Sequence, residues 1–549
     1  MQKRAELPFF VQLWAVILVL PFFGLLRESL ISHGSDRSVW VALQDPVIHS
    51  IAGFTLFQAF LSLLLAGVLG VPLGLWFSTA FRTHFRRGFE ILLALPMGIP
   101  GLVTASAAVA WIGRQGLLTQ IGLWPEAWAY SGYAVIAVHG CWNASWIALK
   151  VAQKRASIPL ERMEAARVLG ANRYQRFLLL DLPELRTELF WSSLQVFQLC
   201  ASSFVIVLLL GGGPPVETLE TAIYSKVRLA ELDFPGAVAC VFLQIGIVAL
   251  PGLTGLFYQW RKMLKQSLSE AQWVASSRVI SVGKTRLGLQ FVGAAFLGLL
   301  PWLLAFDRQA VLKALEWLPL KEARESIALS IQLASGSLLL SGVLAALLLR
   351  AARQNRGRTQ PWVILTALFP SWISPFILGL GFWLAAERWI DPFADNWQWV
   401  ILIQAILGVP FLFRALWPVV GSPQLRLMDS ARTLGATPLR AFWTVEWPRW
   451  KGVVATAGGV YFFGAIGDLA AMSFFAGGAF ESGVPLPVVV SRMISHYQFD
   501  EAQGVLWVLV GLGLSSLLVL SGVLSLTGWI FPLGMDFLKQ RGWRRGGVG

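Results

Sequence analysis

Twelve stretches of this chain run for about 18 residues or more almost without charge. They centre near 9–26, 51–79, 91–113, 130–149, 189–210, 236–260, 288–306, 326–349, 361–386, 397–417, 452–476 and 503–532. Runs of that length and purity are what a helix needs to cross the hydrocarbon core of a bilayer. The bulk composition agrees: of 549 residues, 56% are apolar and only 13% charged, which is not the balance of a soluble domain. The expected fold class is an all-α integral membrane protein with about 12 transmembrane helices. Trp14, Trp40, Trp124, Trp302, Trp317, Trp389 and Trp507 fall near the proposed ends, where an interfacial belt favours them.

The net charge is +14. Its distribution argues against nucleic acid as a partner. With the N-terminus inside, Lys and Arg gather in the cytosolic segments and Asp and Glu in the external ones, the positive-inside pattern. Both termini are then cytoplasmic, and lipid is the expected surroundings. Lys3 and Arg4 ahead of an apolar run resemble a signal peptide. No small-residue cleavage site precedes Arg27 and Glu28, so the run reads as an uncleaved first span. Cys141, Cys200 and Cys240 all fall within spans without paired spacing, and imply neither a disulfide framework nor a metal site.

A polar segment occurs twice. E-A-A-R-V-L-G-A-N-R-Y-Q-R-F-L-L-L-D-L-P runs from Glu164 to Pro183, and D-S-A-R-T-L-G-A-T-P-L-R-A-F-W-T-V-E-W-P from Asp429 to Pro448, an offset of 265 residues. The offset also aligns Gly212 with Gly477 and Phe234 with Phe499, while A-L-P-M-G-I-P at 94–100 resembles L-F-P-S-W-I-S-P at 368–375 after a small length change. Six spans per half is an even number, so the halves share one orientation and form a parallel repeat. The expected division is an N-terminal span and external loop (1–50), a first domain (51–260), a linker and extra span (261–325), a second domain (326–532) and a basic cytosolic tail (533–549).

Each copy of the polar segment spells a helix, a turn and a second helix. Ser422 and Pro423 suit a helix start, Gly435 a left-handed stop, and Thr437 with Pro438 a restart; Pro448 closes the second helix. Pro159, Gly170, Asn172 and Pro183 do the same in the first copy. Small residues (Ala165, Ala166, Ser430, Ala431) leave a thin face able to enter a groove, and Glu164 and Asp429 offer a carboxylate to a donor on a partner.

The pattern E-A-A, three residues, Gly, nine residues, an aliphatic, one residue, Leu-Pro resembles the coupling-loop signature of permease subunits in type I bacterial ABC importers. The first copy matches throughout, with Leu180 at the aliphatic position. The second has Asp-Ser-Ala and Trp447 but keeps Gly435, Val445 and Pro448. The resemblance implies ABC type-1 domains in both halves, an inner-membrane location, and a loop that docks into a cleft of an ATPase. It implies two ATPase copies holding ATP and Mg, a periplasmic substrate-binding protein, and no cofactor or catalytic residue on this chain. The fused layout narrows the family to thiamine and ferric-ion permeases. S-F-V-I-V-L-L-L-G-G-G-P-P-V-E-T-L-E-T-A-I-Y (203–224), G-R-Q-G (113–116) and I-G-D (466–468) look most like the thiamine group. A rival from another class is an ion-gradient secondary transporter, since twelve spans in parallel halves also suit it. G-K-T at 283–285 is no phosphate loop, because Arg278 stands where that motif needs Gly. No cluster of catalytic spacing supports an integral-membrane enzyme.

Asp468 is an acidic residue well inside a proposed span, and burying it there is expensive enough to make it a functional candidate. A substrate path would include Asp468, its repeat counterpart Ser203, and the ring of Tyr461, with Phe474 and Phe475 nearby; a cation such as thiamine fits this set. The competing reading makes Asp468 a bond to a neighbouring helix. Gly211, Gly212, Gly213, Gly477 and Gly478 read as loop breaks. His139, Asn143, Gln195 and Gln198 read as interhelical hydrogen-bond partners.

Overall fold

The computed structural model describes residues 8–31, 38–211, 213, 216–229, 233–269, 282–299, 302, 308–355, 359–386, 397–420, 425–475, 483–496 and 498–543. The first half contains α1 (Phe9–Ile31), α2 (Pro46–Phe77), α3 (Arg86–Ala94), α4 (Gly101–Ile112), α5 (Gly132–Ala156), α6 (Leu160–Val168), α7 (Arg173–Arg176), α8 (Leu182–Ala201), α9 (Leu219–Tyr224) and α10 (Phe234–Ser269). The second contains α11 (Lys284–Gly298), α12 (Lys321–Gln354), α13 (Gln360–Leu368), α14 (Pro375–Ala385), α15 (Trp397–Val420), α16 (Leu425–Thr433), α17 (Pro438–Ala441), α18 (Trp447–Ile466), α19 (Leu469–Phe475), α20 (Leu486–Ser495) and α21 (Phe499–Trp543). Among the described residues there is no strand, so the all-α expectation holds.

The repeat is a repeat of structure. From α5 and α15 onward the helices start in step: 132 with 397, 182 with 447, 234 with 499. The small length change lies just before: 31 residues separate the starts of α4 and α5, and 22 separate those of α14 and α15.

Several proposed spans are not straight crossings. Among the described residues, five helices are long and apolar enough to cross unbroken, and four bent pairs would bring the number to nine if each pair crosses once. The stretches proposed at 91–113 and 361–386 bend by 88° and 101°, and those at 236–260 and 452–476 by 46° and 45°. Hydropathy cannot register a bend. The local cause is visible in the two sharpest, where Pro100 caps α4 and Ser374-Pro375 starts α14 after a tight turn of helix. The stretch at 189–210 also breaks, at 202–204 between α8 and Val205–Leu210. At the C-terminus, α21 runs through the proposed tail boundary at 533 to Trp543.

The first helix of each half lies on the other half. α1 crosses α14 so closely that a Cβ on Gly24 would run into the Gly381 carbonyl oxygen, and one on Gly381 would meet that of Pro21 at 2.5 Å. Trp14 Nε1 donates to the Thr366 carbonyl at 3.1 Å and Arg27 Nη1 to that of Leu384 at 3.2 Å. Reciprocally, α11 packs on α3 and α5. Its Gly298 abuts the Leu92 carbonyl, and Gln290 Nε2 donates to the Trp76 carbonyl and to Thr79 Oγ1. Small residues let the helix backbones approach where no aqueous hydrophobic drive exists.

Gly381→Ala should therefore lower stability by about 1–3 kcal/mol through overpacking. Gly511→Ala, whose added Cβ meets nothing within 4 Å, should change little. Thermal unfolding of the detergent-solubilised protein followed by tryptophan fluorescence compares the two; equal midpoints would mean that the crossing is not tight.

Candidate functional site

The duplicated segment builds two matching helical brackets. α6 stops at Gly170 (φ +76°) and α16 at Gly435 (φ +81°), a backbone region that glycine enters without the Cβ clash. The Ala171 N–H bonds back to the Ala166 carbonyl and the Gly170 N–H to that of Arg167. Ala436 reaches Ala431 and Gly435 reaches Arg432 in the same way. These paired bonds are the Schellman closure, which satisfies carbonyls that the helix end would leave open. Asn172 then caps α7 in a reciprocal box with Gln175, and the Thr437 side chain caps α17 by accepting from Arg440 N.

Beyond the caps, one expectation is corrected. Pro183 and Pro448 do not end the second helix. Each sits in the first turn of the long helix that follows, and the chain stays helical through a single π turn, 177–181 and 442–446. The wider turn takes up the clash between the proline ring and the carbonyl one turn back. Leu180 and Val445 lie in these π turns, half-buried. Glu164, Ala165 and Ser430 are exposed, while Ala166 and Ala431 are half-buried. Asp429 is within α16, but its side chain, like Ser422 and Pro423, lies outside the described residues. The bracket tips are apolar: Val168, Leu169 and Leu434 are 85–88% exposed, which suits a hydrophobic seat on a partner.

A second site lies between the halves. Gly98, Pro100, Gly101 and Val205 from the first half and Gln404, Phe411, Tyr461 and Asp468 from the second line a cavity of about 270 Å³. Asp468 does not lie inside a continuous helix. It follows the break at Gly467 between α18 and α19, and its Oδ1 accepts from Ala471 N at 3.3 Å. A free helix start is the least costly place for a carboxylate at this depth, because bare N–H groups receive it. Tyr461 lines the cavity with its ring, its hydroxyl being engaged by the Gln404 carbonyl at 2.9 Å. Ser203 is half-buried at the matching break of the first half and is not part of the lining.

Phe474 and Phe475 serve elsewhere. Phe474 stacks edge-on with Phe376, which meets Phe204 at 4.5 Å and Tyr224 at 5.9 Å, a cluster joining the halves. His139 Nδ1 contacts Gln58 Oε1 at 3.1 Å, and Gln198 Nε2 reaches the Ser371 carbonyl, so both are interhelical bonds as expected. Asn143 bonds first within its own helix, to the His139 carbonyl. Of the glycines read as loop breaks, Gly212, Gly477 and Gly478 lie outside the described residues.

Two functional candidates escaped the sequence reading. Gln404, nearly fully buried, donates to the Ala465 carbonyl at 3.0 Å, and its Oε1 has no partner among the described residues. It stands 265 residues after His139, so the repeat register was the signal that could have found it. Glu220 is wholly buried beside Gln244 Nε2 at 3.0 Å. Nothing in its local sequence separates it from Glu217, an acid three residues earlier that is only half-buried.

A family model for the inner membrane component of binding-protein-dependent transport systems matches twice, over residues 70–263 and 338–532. The chain belongs to that family. This permease is thus a multi-pass inner-membrane protein, and one matched region lies in each of its two halves. It is 26% identical to the thiamine transport system permease protein ThiP of Brucella abortus over 83% of the chain and 84% of that relative. The identity is 24% to ThiP of Haemophilus influenzae over 90% and 93%, and 26% to that of Escherichia coli K12 over 84% and 87%. The sulfate permease CysT of Escherichia coli is 28% identical over 43% of the chain and 85% of its own length.

Gly170→Val and Gly435→Val place a β-branched residue at strongly positive φ and should each cost about 1–2 kcal/mol locally. Tryptic cleavage at Arg167 and Arg173, or at Arg432 and Arg440, should accelerate. Gly170→Asn, which tolerates this conformation, should cut near the parental rate. Equal rates in all variants would show that the closure does not depend on the glycine.

Proposed function

We propose that this permease is the membrane-spanning subunit of an ATP-driven importer that carries thiamine, or a closely related small cation, across the inner membrane. The observation that carries the reading is the pair of brackets in strict register, on a chain whose relatives over four-fifths of its length are named thiamine permeases. Each bracket would seat in one of two ATPase copies. ATP and Mg would be held by those subunits, and this chain would bind no cofactor and carry out no catalysis. A periplasmic binding protein would deliver substrate from the opposite side. With both termini cytoplasmic, the basic docking segments face the cytosol, as the positive-inside bias favours. Closure of the ATPases and occupancy of the cavity then act on one two-state body, each favouring a different arrangement of the halves.

Thiamine carries a fixed positive charge on its thiazolium ring. Asp468 gives the cavity a carboxylate, and Tyr461 and Phe411 line it with aromatic surface. Ser203 leaves the equivalent break of the first half neutral, so the charge is one-sided. None of the relatives above is a ferric-ion permease, and a cavity with one carboxylate is a poor match for a small trivalent ion that needs several oxygen ligands.

The permease, its ATPase and its binding protein, reconstituted in proteoliposomes, should take up labelled thiamine only with ATP and binding protein present. Uptake driven by an ion gradient without ATP would replace this reading with secondary transport, and uptake of iron in place of thiamine would replace the substrate. In the same assay Asp468→Asn retains a good helix cap and removes the charge. Thiamine uptake should fall about tenfold, the equivalent of ~1.4 kcal/mol of lost attraction. Parental uptake would remove Asp468 from the path.

A further inference from the structure

Both brackets hand over to their long helices through a buried acid. Asp181 closes the first π turn and Glu446 the second, and their side chains are only 5% and 11% exposed. Each acid meets one guanidinium. Arg155 Nε donates to Asp181 Oδ1 at 2.9 Å. Arg353 grips both oxygens of Glu446, Nη1 to Oε2 at 3.2 Å and Nη2 to Oε1.

The acids are repeat equivalents, but the arginines are not. Arg155 ends α5, and its counterpart at the end of α15 is Val420, buried and apolar. Arg353 lies near the end of α12. Counted from the starts of the two helices (321 to 353, 46 to 78), its counterpart is Ser78 at the end of α2. In the first half Ser78 Oγ accepts from Arg155 Nη1 at 3.1 Å, and the Leu75 carbonyl accepts from the same nitrogen at 2.9 Å. A guanidinium therefore meets the acid beside the end of α2 or α12 in both halves, delivered by a different helix each time.

We propose that these two buried ion pairs are the positioning contacts through which movement of each bracket reaches the spans, and that the halves distribute it differently. The first bracket would drive α2 and α5 together, and the second α12 alone. The inference rests on the importer reading above. Its physical basis is the π turn. A wide turn followed by a proline is the compliant point of the helix that runs from α7 into α8, and motion of the bracket would be lost by flexing there. The ion pair pins the last residue of that turn to the neighbouring spans. Withdrawing either charge would strand the other out of water, so the joint resists opening.

The first joint is also braced from outside. Glu184 receives Lys154 Nζ at 3.1 Å and Arg162 Nη1 at 3.2 Å, the latter from α6 itself. The counterparts of these three residues are Arg449, Val419 and Leu427, which cannot form that brace.

The test is a relocation of the guanidinium, measured on the complete complex as thiamine transported per ATP hydrolysed. Arg155→Val should leave ATP hydrolysis within about twofold and lower the transport ratio about tenfold. Arg155→Val with Ser78→Arg, which supplies the charge from α2 as the second half supplies it from α12, should restore the ratio to within about threefold. A parental ratio in Arg155→Val overturns the inference, as does a loss that the double variant does not recover. If Arg155→Val fails to assemble, Arg155→Lys carries the test, since it keeps the charge but loses the fork onto Leu75 and Ser78. A lowered ratio then supports the joint and a parental one overturns it. Absence of ATP-driven uptake in the unaltered complex would instead overturn the importer reading, and this inference with it.

Discussion

A carbonyl freed at a helix break inside a membrane has no water to turn to, and the fold of this permease depends on how those carbonyls are met. The answer is repeatedly the same residue. Among the described residues, six buried glutamines (Gln58, Gln198, Gln244, Gln290, Gln360 and Gln404) each donate a side-chain N–H to a backbone carbonyl at or near a helix end: those of Cys200, Ser371, Ala201, Trp76, Ala352 and Ala465. A glutamine amide can span the gap between packed helices and brings no charge to be neutralised. The breaks it stabilises shape the cavity at Asp468 and set the bends of the second half's core.

The repeat conserves these needs and not the means. Cys200 and Ala465 are equivalent carbonyls, three residues before Ser203 and Asp468. The first is met by Gln58 from α2 and the second by Gln404 from α15. Asp181 and Glu446 are equivalent acids, met by Arg155 from α5 and Arg353 from α12. At both ends of α8 and α18 the donor has changed helix while the acceptor has stayed. Two halves with one backbone plan have thus become chemically distinct at the bracket joint and at the cavity, where the charge is carried by one half.

Local chemistry made the brackets legible in the sequence. A positive-φ glycine, an Asn or Thr cap and a proline in the first turn are decided within a few residues, and Gly170, Gly435, Asn172 and Thr437 stand as their letters imply. The proline boundaries at Pro183 and Pro448 misled because a π turn, invisible to composition, carries the helix through them. The spans were legible as apolar mass but not as geometry. An 88° or 101° bend leaves hydropathy unchanged, and Asp468 accordingly looked embedded in a helix whose broken end it caps. Gln404 and the four ion-pair residues depend on contacts between distant segments, and no local pattern encodes them.

The crossed first helices have a temporal consequence. Trp14 and Arg27 find their acceptors 352 and 357 residues later in the chain, on the far half. At a synthesis rate of about 5–20 residues per second, α1 waits in the bilayer for roughly 20–70 s before its seat exists. During that interval its guanidinium and indole lack the Leu384 and Thr366 carbonyls that receive them in the finished fold. The closing of this strap marks the moment at which a newly made chain becomes one body.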